Sequence, residues 1–521
     1  MQSTSRHVRF NPYWIFLLIL SLALMGIGGV VTSKYGAGVA SDSVKYLGVA
    51  QGILDGNGLF DHRGKPLLSW PPLYSMIIAG LSALTRSDVF PVAWYFNIFI
   101  LGLNLFLSGV ILHRVFPDRI LYAYLGVLFI FLSNPNLRIH SVISSDPLYL
   151  TMVFLLVLAL DGYIARRSFG SFIAVLVLSA LTPLLRYVGL AIGTTAGLVI
   201  LIENRKSIRA LLRDGFILGL VTILPIAWWL LIHNVMTYGS LWGLETQIVD
   251  MSANLWMGLT KILHWFVPYL SFLMPVLLRP WIVLLVLLVG FVLLNHKNGG
   301  PVRSWLRALS ARPVYPVLLH AIVYFTAVTV TAITADHRDL YSDRYYFILL
   351  VPLLIILFVT FDTLVLLHLR LSARQVQMGL IVLFALWSAY PLYTMNEYLR
   401  EARQEGEPSS VNLFNNRKYN EMDLIAETQQ LREHEPDAVV YSNYVDAVWF
   451  YTRQPVTVMP VVKEDPSEGY GDWPGNRPGY IIWFEPNEYK HYISPAMIEE
   501  FADLELVYQG KGGKIYYVQA R

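Results

Sequence analysis

Apolar residues in this chain come in long blocks. Blocks of spanning or near-spanning length fall near 13–32, 90–113, 120–133, 147–164, 169–184, 187–202, 214–233, 279–295, 314–334, 346–369 and 376–394. A helix of about 20 apolar residues crosses the hydrocarbon core of a bilayer, so these blocks predict transmembrane helices. The connectors between them sort by charge. One set holds Arg6 and Arg9, Arg114 and Arg119, Arg166 and Arg167, Arg205 through Arg213, Lys297 through Arg312, and Arg370 and Arg374. These alternate with connectors that hold Asp42, Asp146, Asn234 to His264, and Asp336 to Arg344. Basic loops stay cytoplasmic, which predicts a cytoplasmic N-terminus and an external C-terminal segment. The first block is longer than a signal-peptide core and more spans follow, so it is expected to be an uncleaved span. The block 71–85 is short, and a crossing there would flip every later loop. It reads as re-entrant or as a tilted half-helix; the alternative is a crossing helix, with 266–278 restoring parity.

After Tyr393 the pattern changes. Residues 396–521 are polar, rich in charge, Gly and Pro. Asn416 to His434 reads as helix, as do stretches near 444–453 and 495–502. Asp437–Ser442, Val456–Met459, Tyr480–Phe484 and Lys514–Val518 read as strands. The expectation is a membrane domain over 1–395, with a first external loop at 33–74, and an external α/β domain over 396–521. No internal repeat or phosphate-binding glycine loop is present.

Composition narrows the class. The chain has 521 residues, 55% hydrophobic and 14% charged, too apolar for a soluble protein of this size. A net charge of +3 gives no footprint for nucleic acid. Cysteine is absent, which excludes disulfides and thiolate metal sites. An external domain without disulfides fits a bacterial envelope. Mid-span ionisable residues are nearly missing, which argues against an ion-coupled transporter.

The most informative polar stretch runs from Ser41 to Tyr74. Val44, Leu47, Ala50, Ile53 and Leu54 recur at helical spacing behind Asp42, and Asp55-Gly56-Asn57-Gly58 ends that helix. A basic patch of His62, Arg63 and Lys65 follows, and then Pro71-Pro72 opens a new apolar helix. A carboxylate and a cationic cluster are thus held at a membrane surface, an arrangement suited to a substrate with a phosphate head and a lipid tail.

The order of these features resembles the GT-C polytopic glycosyltransferases. An acidic residue stands in the first external loop, then Asp…Tyr…Ala…Gly-Ile-Leu…Gly, then Pro-Pro-Leu-Tyr. The nearest resemblance is to protein O-mannosyltransferases and aminoarabinose transferases, over residues 12–395. It implies an α-helical polytopic membrane protein of GT-C type, with about 11 to 13 spans and a small C-terminal α/β domain. The chain departs at one point. Aminoarabinose transferases carry Glu-Lys just before the Pro-Pro; here Ser69 and Trp70 stand there, leaving Lys65 or Arg63 as the substitute cation.

The resemblance also assigns roles. Asp42 is the expected general base for an attacking hydroxyl, against the plainer reading that it only caps a helix. Arg344 and Tyr345, followed by Pro352, resemble a late Arg-Tyr…Pro motif that grips the leaving phosphate, against plain interfacial anchoring. Lys65 and Arg186 join the donor-phosphate set. Asp146, His140, Arg63 and Trp70 form the acceptor or sugar set; for Asp146, before Pro147, the plainer reading is again a cap. His233-Asn234 reads as an interfacial belt and His320 as a hydrogen-bonded structural residue. No histidine has metal-ligand spacing; no cofactor is expected, and a divalent cation is admissible without being indicated.

The implied activity is transfer of a sugar, hexose or pentose, from a polyprenyl-phosphate donor to a hydroxyl acceptor, with inversion. It would occur on the outer face of a bacterial inner membrane, among membrane lipids and without nucleic acid. Two other classes remain: a transporter or flippase of lipid-linked sugars, and a non-catalytic envelope assembly protein.

Overall fold

A computed structural model describes residues 11–241, 251–268, 300–334, 343–365, 372–462, 470, 473–474, 478–486 and 491–520. Among the described residues, eight helices are long and apolar enough to cross a membrane, making this an integral membrane protein. They are α1 (Pro12–Val31), α4 (Val89–Val115), α7 (Asp146–Arg166), Tyr187–Asn204, Ile208–Thr237, Val314–Thr331, Asp343–Thr363 and Ala373–Glu405. Ile120–Phe131 and Asn134–Ser141 meet at 51° and make a ninth if counted as one span. Phe169–Leu185 and α3 (Leu73–Thr85) are shorter apolar helices. The block expected at 279–295, and residues 269–278 of the alternative crossing, lie outside the described residues.

Close backbone approach holds the first spans together. On α1 and α4, a Cβ on Gly28 would meet Leu101 at 2.9 Å, one on Gly102 would meet Met25 at 2.5 Å, and one on Gly109 would meet Leu17 at 2.4 Å. Small residues let the helices touch where lipid supplies no hydrophobic drive. Tyr13 donates to the Gly109 carbonyl at 2.8 Å across the same interface.

The last long helix, Ala373–Glu405, has 33 residues and is about 50 Å long at 1.5 Å per residue. The boundary drawn at 395 therefore falls inside one unbroken helix. Beyond it lies a five-stranded sheet, with β1 (Val439–Ser442), β2 (Thr457–Val458), β3 (Gly479–Phe484), β4 (Ala502–Gly510) and β5 (Gly513–Ala520) in the order β2-β1-β3-β5-β4. The first three are parallel, and β5 runs antiparallel to β3 and β4. Two expectations for this domain need correction. The helix read over 495–502 is only Pro495–Ile498, and strand β4 follows it unanticipated. The helix read over 416–434 breaks into Arg417–Asn420 and Asp423–His434. In β4, Leu and Glu would tolerate a helix, but pairing with β5 along its length satisfies the backbone and overrides propensity.

The loop that follows α1 is stapled to this domain. Residues 41–54 form α2 (Ser41–Leu54), and 59–67 fold back on it as a small hairpin, Leu67 N donating to Leu59 O at 2.9 Å. Gly48 makes that return possible, because a Cβ there would stand 2.7 Å from the His62 backbone nitrogen. At the hairpin, His62 Nε2 and Arg63 Nη2 meet the Asp446 carboxylate at 2.8 and 2.6 Å. Asn412 and Asn415 bind the backbone of Val39, Tyr35 and Ala37 from the other side. Burial raises the Asp446 pKa, but His62 and Arg63 outweigh it and hold the carboxyl down to about 2.

Two outcomes follow from these contacts. Gly48→Ala should displace the hairpin and lower stability by roughly 1–3 kcal/mol, whereas Gly80→Ala, with nothing within 4 Å, should not; thermal unfolding of the two variants decides this. The depressed Asp446 pKa contributes stability above its unfolded value near 3.9, and that contribution fades as pH falls towards about 2. Asp446→Asn should therefore cost roughly 2 kcal/mol at pH 7 and nearly nothing at pH 2, measured by chemical unfolding at both values.

Candidate functional site

Four charged side chains converge where helices end. Asp42 lies in the first turn of α2 and Asp146 opens α7; Arg186 follows Phe169–Leu185, and Arg344 lies in the first turn of Asp343–Thr363. A charge at a helix end meets the boundary of the membrane rather than its interior, where it would be costly. Backbone groups left unpaired at such ends also favour polar neighbours.

Arg344 Nη1 lies 3.4 Å from Asp42 Oδ2, although 302 positions separate them. Its other arm donates to the Tyr345 hydroxyl at 2.8 Å, and the guanidinium lies over the Tyr345 ring. Asp42 does not cap its own helix by its side chain. That place is taken by Ser43, whose hydroxyl accepts from Ala40 N at 2.9 Å. Asp146 makes no capping bond either; its carboxylate forms an ion pair with Arg186. Arg186 also reaches the Ser145 hydroxyl at 3.4 Å, which in turn contacts the Tyr46 hydroxyl at 3.0 Å. The two ion pairs are close enough to act on each other, Arg186 with Arg344 and Arg344 with Asp146.

The pairs differ in accessibility. Asp42 and Arg344 are 30% and 23% exposed, against 9% and 21% for Asp146 and Arg186. An exposed pair is worth about 0–1 kcal/mol, and the part exposure of Asp42 weakens its pairing with Arg344 in that direction. Opening the more buried pair would strand a charge and cost several kcal/mol by the usual scale. Asp146 Oδ2 and Arg344 Nε are shut off from solvent without a hydrogen-bond partner among the described residues, leaving one acceptor and one donor beside the pairs.

The remaining candidates divide. Trp70 stands at the cluster, its ring 4.0 Å under the ammonium of Lys45. Lys45 is half-buried one turn after Asp42 and forms no ion pair among the described residues. Burial lowers its pKa, Arg63 adds to this, and Asp42, Asp446 and Asp61 partly offset it. Lys65, expected in the phosphate set, instead sits exposed on the hairpin turn, where only its backbone is engaged by Asp61. Arg63 is committed to Asp446. His140 is buried away from solvent, with one ring nitrogen on Asn104 and the other on the Asn136 carbonyl, so no face is left for a substrate. His320 is a buried partner of Thr195, and Asn234 ties down the loop by donating to Leu68 O. Among the described residues no three His, Asp or Glu side chains gather to hold a metal ion. Lys45, Tyr46 and Ser145 were not singled out from the sequence. Lys45 had a signal, since it lies at i+3 from Asp42 on one helix face. Ser145 and Tyr46 had none, because their meeting is tertiary.

Such a cluster offers three cations, two carboxylates and two phenols at the ends of the helices. It can hold a phosphate, and it can present a carboxylate to a hydroxyl. No family model and no curated protein sequence matches the chain. Solved structures do. The apo structure of ArnT from Cupriavidus metallidurans aligns with a TM-score of 0.61 at 14% identity, covering 97% of each chain. The same protein bound to undecaprenyl phosphate aligns at 0.59 and 13%, covering 96% of this chain and 97% of that one. The likeness covers the membrane bundle and the C-terminal sheet domain, and the chain has the GT-C fold with a small sheet domain after it.

Proposed function

We propose that this protein is a membrane glycosyltransferase that moves a sugar, hexose or pentose, from a polyprenyl-phosphate donor to a hydroxyl acceptor. The observation that carries this reading is the Asp42–Arg344 pair, joined across 302 positions within a fold that in ArnT binds undecaprenyl phosphate. The alternation of basic connectors supports an inner-membrane protein with its N-terminus in the cytoplasm and the site outside.

In the mechanism, the lipid tail stays in the bilayer and the phosphate takes Arg344 from Asp42. Arg344 binds it through a planar fork, and Tyr345 holds that fork in place. Arg186, fixed by Asp146, and Lys45, seated on Trp70, add positive field. The freed Asp42 accepts the proton of the acceptor hydroxyl as its oxygen bonds to the anomeric carbon. The bond from that carbon to the phosphate oxygen breaks on the opposite face, so the configuration inverts. The electron pair leaves on the phosphate, and the cations offset its charge. The C-terminal domain, stapled to the loop that bears Asp42, helps select the acceptor.

The decisive experiment incubates the purified protein with a panel of polyprenyl-phosphate hexoses and pentoses and follows release of free polyprenyl phosphate. Asp42→Asn should slow release by about 10²- to 10⁴-fold with donor binding retained. Equal rates in wild type and variant, or no release with any donor, would refute the proposal; a flippase or scaffold would tolerate the change. Lys45→Met should weaken donor binding about tenfold while Lys65→Met changes it little, as measured by donor-lipid titration.

A further inference from the structure

A cavity lies beside Asp343, the residue before Arg344. Its volume is about 210 Å³, room for several waters' worth of ligand. Arg344 turns towards Asp42, whereas its neighbour Asp343 lines this cavity and accepts a hydrogen bond from Trp265 Nε1 at 3.1 Å. Arg138, Lys261 and His264 also line it. Arg138 and Lys261 are basic, exposed at the cavity's open side, and form no ion pair among the described residues, while the one carboxylate is already engaged. Arg138 is held in place over the Tyr398 ring at 5.2 Å. Burial lowers the His264 pKa, Lys261 and Arg138 adding to this and Asp343 partly offsetting it.

The walls carry a second sign of an absent ligand. Trp387 Nε1, a donor, and Asn134 Oδ1, an acceptor, are shut off from solvent and have no hydrogen-bond partner among the described residues. Both residues line the cavity, and the Trp387 ring is fixed by stacking on Phe129 at 4.0 Å. Buried polar atoms are normally satisfied, so such a pair beside two unpaired cations is unusual. The mechanism derived above uses none of these residues.

We infer that this cavity is an anion site, and that it anchors a phosphate or carboxylate borne by the acceptor while the acceptor's hydroxyl reaches across to Asp42. The acceptor assignment rests on the transferase reading; the anion site does not. An anchor here, one residue along the chain from the phosphate-gripping Arg344, would hold the two substrates on either side of one backbone segment. Bidentate and charge-assisted contacts to two cations give the selectivity for an anion.

The test is calorimetry on the full-length protein in nanodiscs, with glycerol 3-phosphate as a soluble probe and dihexanoyl phosphatidic acid as a lipid probe. At least one probe should bind; both binding would mean that the phosphate alone suffices, and only the second that the anion belongs to a lipid. Arg138→Gln and Lys261→Gln should each weaken binding about tenfold or more. Lys261→Arg should restore most of it, and Lys65→Met, at the exposed hairpin turn, should leave it within about twofold. In turnover, the same two variants should raise KM for an anionic acceptor and leave donor KM unchanged. Failure of both probes to bind wild type overturns the inference. So does binding that survives the double variant, or binding lost with Lys65→Met. Calorimetry needs no turnover, so its failure speaks to the cavity alone, whereas absent release of polyprenyl phosphate speaks to the transferase reading.

Discussion

A carboxylate and a guanidinium at the edge of a membrane must find each other or water. In this protein Asp42 and Arg344 find each other. Their pairing draws the loop after α1 onto the start of a late span. Placement at helix ends makes the pair affordable, because the chain reaches the polar boundary there. Partial exposure of Asp42 weakens it. The neighbouring Asp146–Arg186 pair is more deeply set and supplies the rigid counterpart.

The rest of the fold keeps that geometry in place. Glycine contacts lock α1 to α4, and α2 lies over the bundle with its hairpin returned upon it at Gly48. From outside, Asp446 holds His62 and Arg63, while Asn412 and Asn415 hold the chain just before α2. The loop that carries Asp42 is thus clamped by the C-terminal domain. A domain so joined is part of the site's frame. That explains why the long helix Ala373–Glu405 passes without a break from the membrane into the sheet domain.

Much of this was legible in the linear order of residues. The apolar blocks marked the spans, because burial in lipid demands continuous hydrophobicity. The strands β1, β2, β3 and β5 were visible as alternating or apolar runs between turn signals. Strand β4 was not, since Ala502–Gly510 contains good helix formers and becomes a strand only through β5. At the site, Asp42, Arg344, Asp146 and Arg186 stood out as charges beside apolar runs. Lys65 drew attention for the same reason, yet its turn points it outwards, and Lys45 occupies the place beside Asp42. His140 looked equally suitable until its ring nitrogens proved to be engaged by Asn104 and Asn136.

The sequence by itself determined that the chain lives in a membrane, where its helices run, and which charges sit at their ends. Those properties are local: hydrophobicity, period and the cost of a charge in lipid are set residue by residue. Only the tertiary structure decided which charges meet. A pair 302 positions apart is joined by the packing of the whole bundle, and nothing in the neighbourhood of either residue carries that information.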